Sequence, residues 1–353
     1  MLTTSLDTLL ACSVMVVLAL SSMVGILTVV NPYLQNQPSG YEKDLNHRLA
    51  EYLILDPGDA PDWGSCEDGS LSSFGLAKAG CTAPFELDID KVTRLNQENA
   101  YGLSFRDAFL ALGLQDRPFR IRVEPLFDVT LSLVSQRVED ADTVYHFSVQ
   151  TERSNLPVAT NLGCYAVLGD YAANVVSSTS SSGQGTVEVA LPNSLDGTAL
   201  MIAIAEVEPG IVSYDVYAFK HRSSGDPYPQ RTFTMLSPLN FTLRAEISYS
   251  EEQIVGVKVF TYDYYFNLTM VDEDPGVEYY AIPRLLDPSP MVLVVTGLNE
   301  STSFAEWVTY PQVPLDFGSN FTRQQDVMDS FPFQFLVSIN SALYACEIAL
   351  GGT

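Results

Sequence analysis

Residue types that commonly carry out chemistry are few and scattered in this sequence. The chain of 353 residues contains three histidines, His47, His146 and His221, and no two have the i, i+4 spacing of a helical zinc site. A G-x-S-x-G nucleophile motif and a phosphate-binding G-x-x-x-x-G-K motif are both absent from the sequence. Carboxylates are too abundant for any one pair to indicate a glycosidase. We therefore predict a protein that is not an enzyme, with no catalytic residue, no cofactor and no dedicated metal site.

The charge balance restricts the partners of the protein. The sequence has 18 Lys and Arg against 43 Asp and Glu, a formal net charge of -25. A nucleic-acid backbone requires a basic face, so binding to nucleic acid is excluded. The negative charge is expected to attract divalent cations. The acidic run at 272–276 offers oxygen ligands that suit Ca²⁺, but it lacks the spacing of a calcium loop and is predicted to be a solvated turn.

The cysteines indicate an extracellular protein. Cys66 and Cys81 enclose a short loop, and a disulfide there would contribute about 3 kcal/mol. We predict this Cys66–Cys81 disulfide. Cys164 and Cys346 lie in strand-like sequence and either pair across the fold or remain buried and free. Cys12 lies in an apolar segment and is expected to be a small, buried thiol.

Four N-x-S/T sequons also point to export. All four fall within the C-terminal third, which predicts N-linked glycans on the outermost part of the protein. The asparagines concerned are Asn240, Asn267, Asn299 and Asn320.

The segment 9–30 contains no charged residue. As a helix its 22 residues would span a bilayer core of roughly 30 Å. It is longer than a secretory signal core and lacks a basic flank, since the first basic residue is Lys43. Either a basic leader has been removed, which we favour, or Met1 is the true start. The helix would serve as a membrane anchor or would pack in the core of a filament.

A second helical pattern follows Pro32. Tyr41, Leu45, Leu49 and Leu53 recur every four residues and predict one apolar stripe. Charged residues cover the other faces, so this amphipathic extension is expected to lie on a globular domain. It ends in the breaker-rich sequence LDPGDAPDWG at 55–64.

This N-terminal third resembles archaeal type IV pilin-like surface proteins. The resemblance is carried by the uncharged helix, the extension LNHRLAEYLILDPGDAPDWG and the sequence FELDIDKVTRLN. It implies a leader cut by a prepilin-type peptidase and a helix that leaves the membrane to bundle with its copies in a filament. Many pilins have Glu at the fifth mature position, whereas here position 5 is Ser and the first acid is Asp7. The assembly helix would comprise Asp7, Leu10, Val14, Val17, Leu20, Val24 and Leu27.

Beyond a short helix near 95–114, the hydrophobic period changes from helical to two. Phe119, Ile121 and Val123 alternate with polar residues, and the same alternation occurs near 129–133, 145–149, 241–247 and 333–339. It predicts antiparallel sheets packed as a sandwich. The predicted class is α+β: a long N-terminal hydrophobic helix with an amphipathic extension, followed by β-sandwich domains. We divide the chain into a helical stalk (1–64), a connecting segment (65–117) and two β-sandwich domains (118–225 and 226–353), which could equally form one large sandwich.

These features predict a structural subunit of an extracellular type IV pilus-like filament. Its partners would be copies of itself, N-linked glycans and, before assembly, the membrane. One alternative is a monomeric, membrane-anchored surface adhesin or ligand-binding ectodomain. A second alternative is a membrane-tethered exo-enzyme.

Overall fold

A computed structural model describes Met15 and residues 40–67, 71–113, 117–223, 227, 230–284, 289–300, 302–321 and 330–351. The assembly-helix residues, Asp7 to Leu27, lie outside these described residues. Three helices are described: α1 (Gly40–Leu55), α2 (Ile89–Arg94) and α3 (Phe105–Leu112). The strands are β1 (Glu86–Leu87), β2 (Phe119–Pro125), β3 (Asp128–Glu139), β4 (Asp142–Arg153), β5 (Leu156–Pro157), β6 (Asn161–Leu168), β7 (Tyr171–Ser178), β8 (Gln184–Pro192), β9 (Gly197–Glu208), β10 (Ile211–His221), β11 (Thr234–Leu239), β12 (Thr242–Ile247), β13 (Glu252–Phe260), β14 (Tyr265–Asn267), β15 (Thr269–Asp274), β16 (Val277–Ala281), β17 (Met291–Asn299), β18 (Thr302–Tyr310), β19 (Leu315–Gly318), β20 (Ser330–Ile339) and β21 (Ala342–Gly351).

The described strands form five sheets, which we name A to E. Sheet A contains β3, β4, β5 and β8, and sheet B contains β6, β7, β9 and β10. Sheet C contains β13, β14, β17 and β18, and sheet D contains β11, β12, β15 and β16. Sheet E contains β1, β2, β19, β20 and β21, so β2 is hydrogen-bonded to the C-terminal strand β21. Neighbouring strands are antiparallel, apart from the short parallel pair of β1 and β20.

Sheets A, B, C and D pack as consecutive layers. In β17 of sheet C, Val292 and Val294 enter the core shared with sheet B, whereas Leu293 and Val295 enter the core on the side of sheet D. Strand β9 of sheet B also divides its side chains between two cores. Because both faces of sheets B and C are covered, their central strands are apolar at nearly every position rather than at alternate positions.

Helix α1 packs on sheet E through Ala50, Leu53 and Ile54, all buried. Helix α3 begins at the N-cap Ser104, ends at Gly113 in the left-handed conformation, and places Phe105 against Phe119 and Phe317. These contacts extend one hydrophobic core from the helices into sheets C, D and E.

The predicted α+β class is wrong. The described part of the fold is mostly β, with 57% of its residues in strands and 10% in helices. The longest described helix, α1, has 16 residues and carries charge along its length. Among the residues described, none of the helices is both long and apolar enough to cross a membrane. The pilin-like architecture of a long apolar helix with a globular head is therefore not found in this part of the chain, and nor is the transmembrane helix.

The predicted Cys66–Cys81 disulfide is also wrong. Cys66, Cys81, Cys164 and Cys346 are all free thiols. The Cys81 thiol donates a hydrogen bond to Glu86 Oε2 at 2.7 Å, while the backbone carbonyl of Cys66 accepts one from Arg94. Each end of the loop is therefore held by its own polar partner. Cys164 lies in the core between sheets A and B and Cys346 in the core of sheet E, so they are separated as well.

A candidate ligand-binding cleft

A β-bulge in β3 opens a cleft at one edge of the sandwich formed by sheets A and B. The pairing of β3 with β4 shifts between Leu133 and Ser135. Before the bulge, β3 is tied to β10 because the Leu131 N–H donates to Asp215 Oδ2 at 2.7 Å. Beyond it, β3 and β10 line the two sides of a cleft of about 590 Å³. Bulges commonly re-aim side chains beside binding sites.

The bulge also moves different residues to the inner face of sheet A. Leu131 and Leu133 are opposite Val149 and Phe147, whereas Gln136 and Val138 are opposite Tyr145 and Thr143. Leu131 is buried, but Val138 is 70% exposed although it stands on the core-facing side. This end of the inner face is therefore left uncovered by sheet B.

The floor of the cleft is a fixed aromatic cluster. Tyr145 is 4.7 Å from Phe219 between ring centroids, and Phe147 contacts Tyr217 edge to face at 5.9 Å. The Tyr145 hydroxyl lies 2.9 Å from Nδ1 of buried His221, whose Nε2 lies 3.1 Å from the Pro192 carbonyl. With Nε2 protonated, His221 donates a hydrogen bond to the Pro192 carbonyl, and its Nδ1 accepts a hydrogen bond from the Tyr145 hydroxyl.

Desolvation keeps this pair neutral. Burial raises the pKa of Tyr145. Burial also lowers the pKa of His221, and the charge of Arg222 lowers it further. The hydrogen bonds of both side chains are used within the protein, so the pair fixes the shape of the floor and holds no proton for transfer to a ligand.

Three polar side chains in the cleft have no internal partner among the described residues. They are the Gln136 amide, the Tyr217 hydroxyl and the Arg222 guanidinium. Arg222 is exposed and has φ of 53°, a left-handed conformation that ends β10 and that is uncommon for non-glycine residues. Lys220 also lines the cleft, and none of its described lining residues is acidic. This absence is unusual in a chain with a net charge of -25.

A second cleft, of about 400 Å³, lies beside β13 and differs in its polar groups. There the Lys258 ammonium is paired with Asp170 at 2.6 Å, and the Tyr280 hydroxyl donates to Glu278. Its charged groups are already satisfied by one another, so the cleft beside β3 is the better candidate for binding.

The sequon asparagines lie on other parts of the surface. Asn240, Asn267 and Asn320 are exposed, and Asn299 is half-buried at the end of β17. The Asn240 amide oxygen accepts a hydrogen bond from Arg284 at 3.2 Å. All four are accessible to some degree, as glycosylation requires, and glycosylation itself stays a prediction.

No sequence pattern identifies the cleft residues. A signal for the bulge is present, because Leu133 and Val134 are adjacent apolar residues that interrupt the alternation of β3. In the sequence, His221 is only one of three scattered histidines. Its pairing with Tyr145 joins positions 76 residues apart, which no local pattern indicates.

Comparisons with known proteins leave the family open. No family model matches the sequence, and no curated protein sequence matches it. A marsupial T cell receptor matches with a TM-score of 0.20 and 9% identity, over 52% of this chain and 96% of that one. HBP35 of Porphyromonas gingivalis matches with a TM-score of 0.19 and 11% identity, over 52% of this chain and 63% of that one. TarS of S. aureus matches with a TM-score of 0.16 and 8% identity, over 56% of this chain and 36% of that one. None of the three is a pilin, and likenesses this weak carry no argument.

Proposed function

We propose that this protein is an exported surface protein that binds a ligand in the cleft beside β3, without catalysing a reaction. The observation that carries the proposal is the convergence of Gln136, Tyr217 and Arg222, each without a partner among the described residues, on one cleft with an aromatic floor. Ligand sites typically combine an apolar lining with a few polar groups that fix orientation.

Binding is favoured over turnover by the chemistry of the lining. No carboxylate lines the described cleft, and the Tyr145–His221 pair is neutral and fully engaged. The hydroxyl of Thr143, a nucleophile by type, donates to Asn193 Oδ1 at 2.6 Å. A nucleophile here would therefore have no general base within reach.

Export is supported by the acidic composition and by four sequons on accessible asparagines. Antibody labelling of intact producing cells tests this part. Labelling before lysis is expected, whereas labelling only after lysis would contradict it. The intact mass of the native protein should exceed the polypeptide mass of 38.7 kDa.

Binding is tested on an array of saccharides and small organic anions with the full chain. We expect a ligand that is bound by the wild type, lost in Tyr217→Ala and retained in Tyr249→Ala, because Tyr249 is 55% exposed in the turn after β12. The Tyr249 variant controls for the loss of an exposed tyrosine. Equal binding by both variants, or no binding by the wild type, would contradict a role for the cleft.

The filament role remains a prediction. The residues expected to form a filament core lie outside the described residues, and the ligand-binding alternative is the one that the described surface favours.

A further inference from the structure

We propose that the ligand of the cleft is an acidic saccharide, a sugar ring that carries a carboxylate. This inference rests on the proposed binding function and specifies the chemistry of the ligand. It follows from the charge of the rim, the exposed ring and the free hydrogen-bonding groups, taken in turn.

The charged groups of the cleft favour a negatively charged ligand. Arg222 has no acidic partner among the described residues, and none of the described residues that line the cleft is acidic. Other arginines on the described surface, by contrast, have acidic partners: Arg120 pairs with Asp316, and Arg137 pairs with Glu139 and Glu188. An unpaired guanidinium presents a planar set of donors that matches a carboxylate.

The walls select a ring with one apolar face. Tyr217 is half-buried and is the aromatic ring of the cleft that is most open to solvent, because Tyr145 and Phe219 are 1% and 3% exposed. The exposed Val138 stands on the opposite strand and supplies an aliphatic surface. The C–H face of a sugar packs against such an aromatic ring, and its edge remains polar.

The free polar groups select hydroxyls around that ring. The Gln136 amide donates and accepts hydrogen bonds, and so does the Tyr217 hydroxyl. A simple fatty acid would satisfy Arg222 and Val138 but would leave both of these groups unpaired, which disfavours its binding because a buried polar group without a partner is costly. A saccharide satisfies all three kinds of contact.

The size of the cleft agrees with this assignment. Its volume of about 590 Å³ lies within the roughly 300–1,000 Å³ found for small-molecule sites. The acidic ring would be the bound unit, with any further sugars extending into solvent.

The test titrates the full chain with three probes by ligand-observed NMR. Methyl glucuronide carries the ring and the charge, methyl glucoside carries the same ring without charge, and hexanoate carries the charge without the ring. We expect methyl glucuronide to bind more tightly than the other two, with a preference that weakens as salt is raised.

Two variants separate the contributions. Arg222→Gln should weaken methyl glucuronide about tenfold, or about 1.4 kcal/mol, and leave methyl glucoside unchanged. Tyr217→Ala should weaken both sugars. The matched control is Arg153→Gln, which removes an exposed arginine at the end of β4 outside the cleft and should change neither.

The outcomes distinguish the two proposals. Equal affinity for the two glycosides, or stronger binding of hexanoate that still depends on Tyr217, would overturn the acidic saccharide and leave the binding cleft standing. Failure of all three probes, together with an array ligand that depends on Tyr217, would have the same meaning. If no ligand depends on Tyr217, both proposals fail.

Discussion

The hydroxyl of Tyr310 lies 2.6 Å from Oδ1 of Asp90. These residues are 220 positions apart, yet the hydrogen bond joins helix α2 to the end of strand β18. The same carboxylate oxygen accepts the backbone N–H of Asn240 at 2.8 Å, in the turn between β11 and β12. Helix α2 is short and entirely buried, and it acts as a polar junction between the N-terminal segments and the sheets.

Removing one side of this junction should destabilise the fold. Asp90→Ala leaves the Tyr310 hydroxyl and the Asn240 N–H buried without an acceptor, so we expect a loss of about 2–4 kcal/mol. Tyr310→Phe removes only one donor and should cost about 1–2 kcal/mol. Urea unfolding of the full chain measures both. Equal and negligible losses would show that the junction is not needed for stability.

The charge of Asp90 should make stability depend on pH. Burial raises the pKa of Asp90 above 3.8, although hydrogen bonds from Tyr310 and Asn240 oppose the shift. The folded state then binds the proton more tightly than the unfolded state, so the contribution of this group to stability falls as pH rises from 3.8 through the raised pKa. Asp90→Asn keeps an acceptor oxygen and has no charge. The unfolding free energy of the wild type minus that of Asp90→Asn should therefore fall as pH rises over that range. Above that range this difference should stay constant. A difference that is constant or rises with pH would contradict the buried charge.

Replacing the carboxylate of Glu306 by an amide should destabilise the fold. It is 1% exposed, and its two oxygens accept the backbone N–H groups of Thr232, Phe233 and Thr234 at 2.7–3.0 Å. In Glu306→Gln one position becomes an NH₂ group that faces an N–H donor, so we expect a loss of about 1–3 kcal/mol. The exposed Glu188→Gln is the matched control and should change the unfolding midpoint little. Equal midpoints for the two variants would rule out this role for Glu306.

The contact between sheets B and C should not accept a methyl group at Gly163. A Cβ there would lie 2.2 Å from the Tyr262 carbonyl oxygen. This oxygen belongs to the backbone, so no side-chain rotation can relieve the clash. Gly163→Ala should cost about 1–3 kcal/mol through overpacking. Asn161→Ala, at an exposed position on the same strand, should be nearly neutral. Thermal unfolding compares them, and an unchanged melting temperature for Gly163→Ala would contradict the close approach of the two layers.

The free thiols predict a two-step reaction with a thiol reagent. In a Cys12→Ser background, the exposed Cys66 and Cys81 should react in the native state. Burial raises the pKa of Cys164 and of Cys346 to about 12, so these two should react only on unfolding. Mass spectrometry of the labelled protein counts the thiols that have reacted before and after unfolding. Resistance of Cys66 and Cys81 until a reductant is added would indicate the disulfide that the structure lacks.

The sequence predicted those strands that have one solvated face. Alternation located Phe119–Pro125 and the strands that begin at Asp128 and Asp142, because one side of each of these strands lies on a core. It could not indicate the stacking of four sheets, since Leu200 and Leu293 occur in continuous apolar runs that have no period of two. The class was assigned incorrectly because the uncharged N-terminal run was given more weight than these internal strands.

The cleft could not be predicted from the sequence for a different reason. Its residues come from β3, β4, β10 and the segment after β10, and only the packing of sheet A on sheet B brings Gln136 and Arg222 to one opening. The disulfide prediction used the spacing of Cys66 and Cys81, but spacing carries no information on the Glu86 and Arg94 side chains that hold the two ends of that loop.

Hydrogen–deuterium exchange of the full chain, with and without saturating methyl glucuronide, tests the account most directly. A ligand in the cleft should slow exchange at the amides of 135–139 in β3 and 217–221 in β10, with little change in sheets C, D and E. Protection confined to another sheet, or no protection at a concentration where NMR shows binding, would contradict a binding site at this cleft.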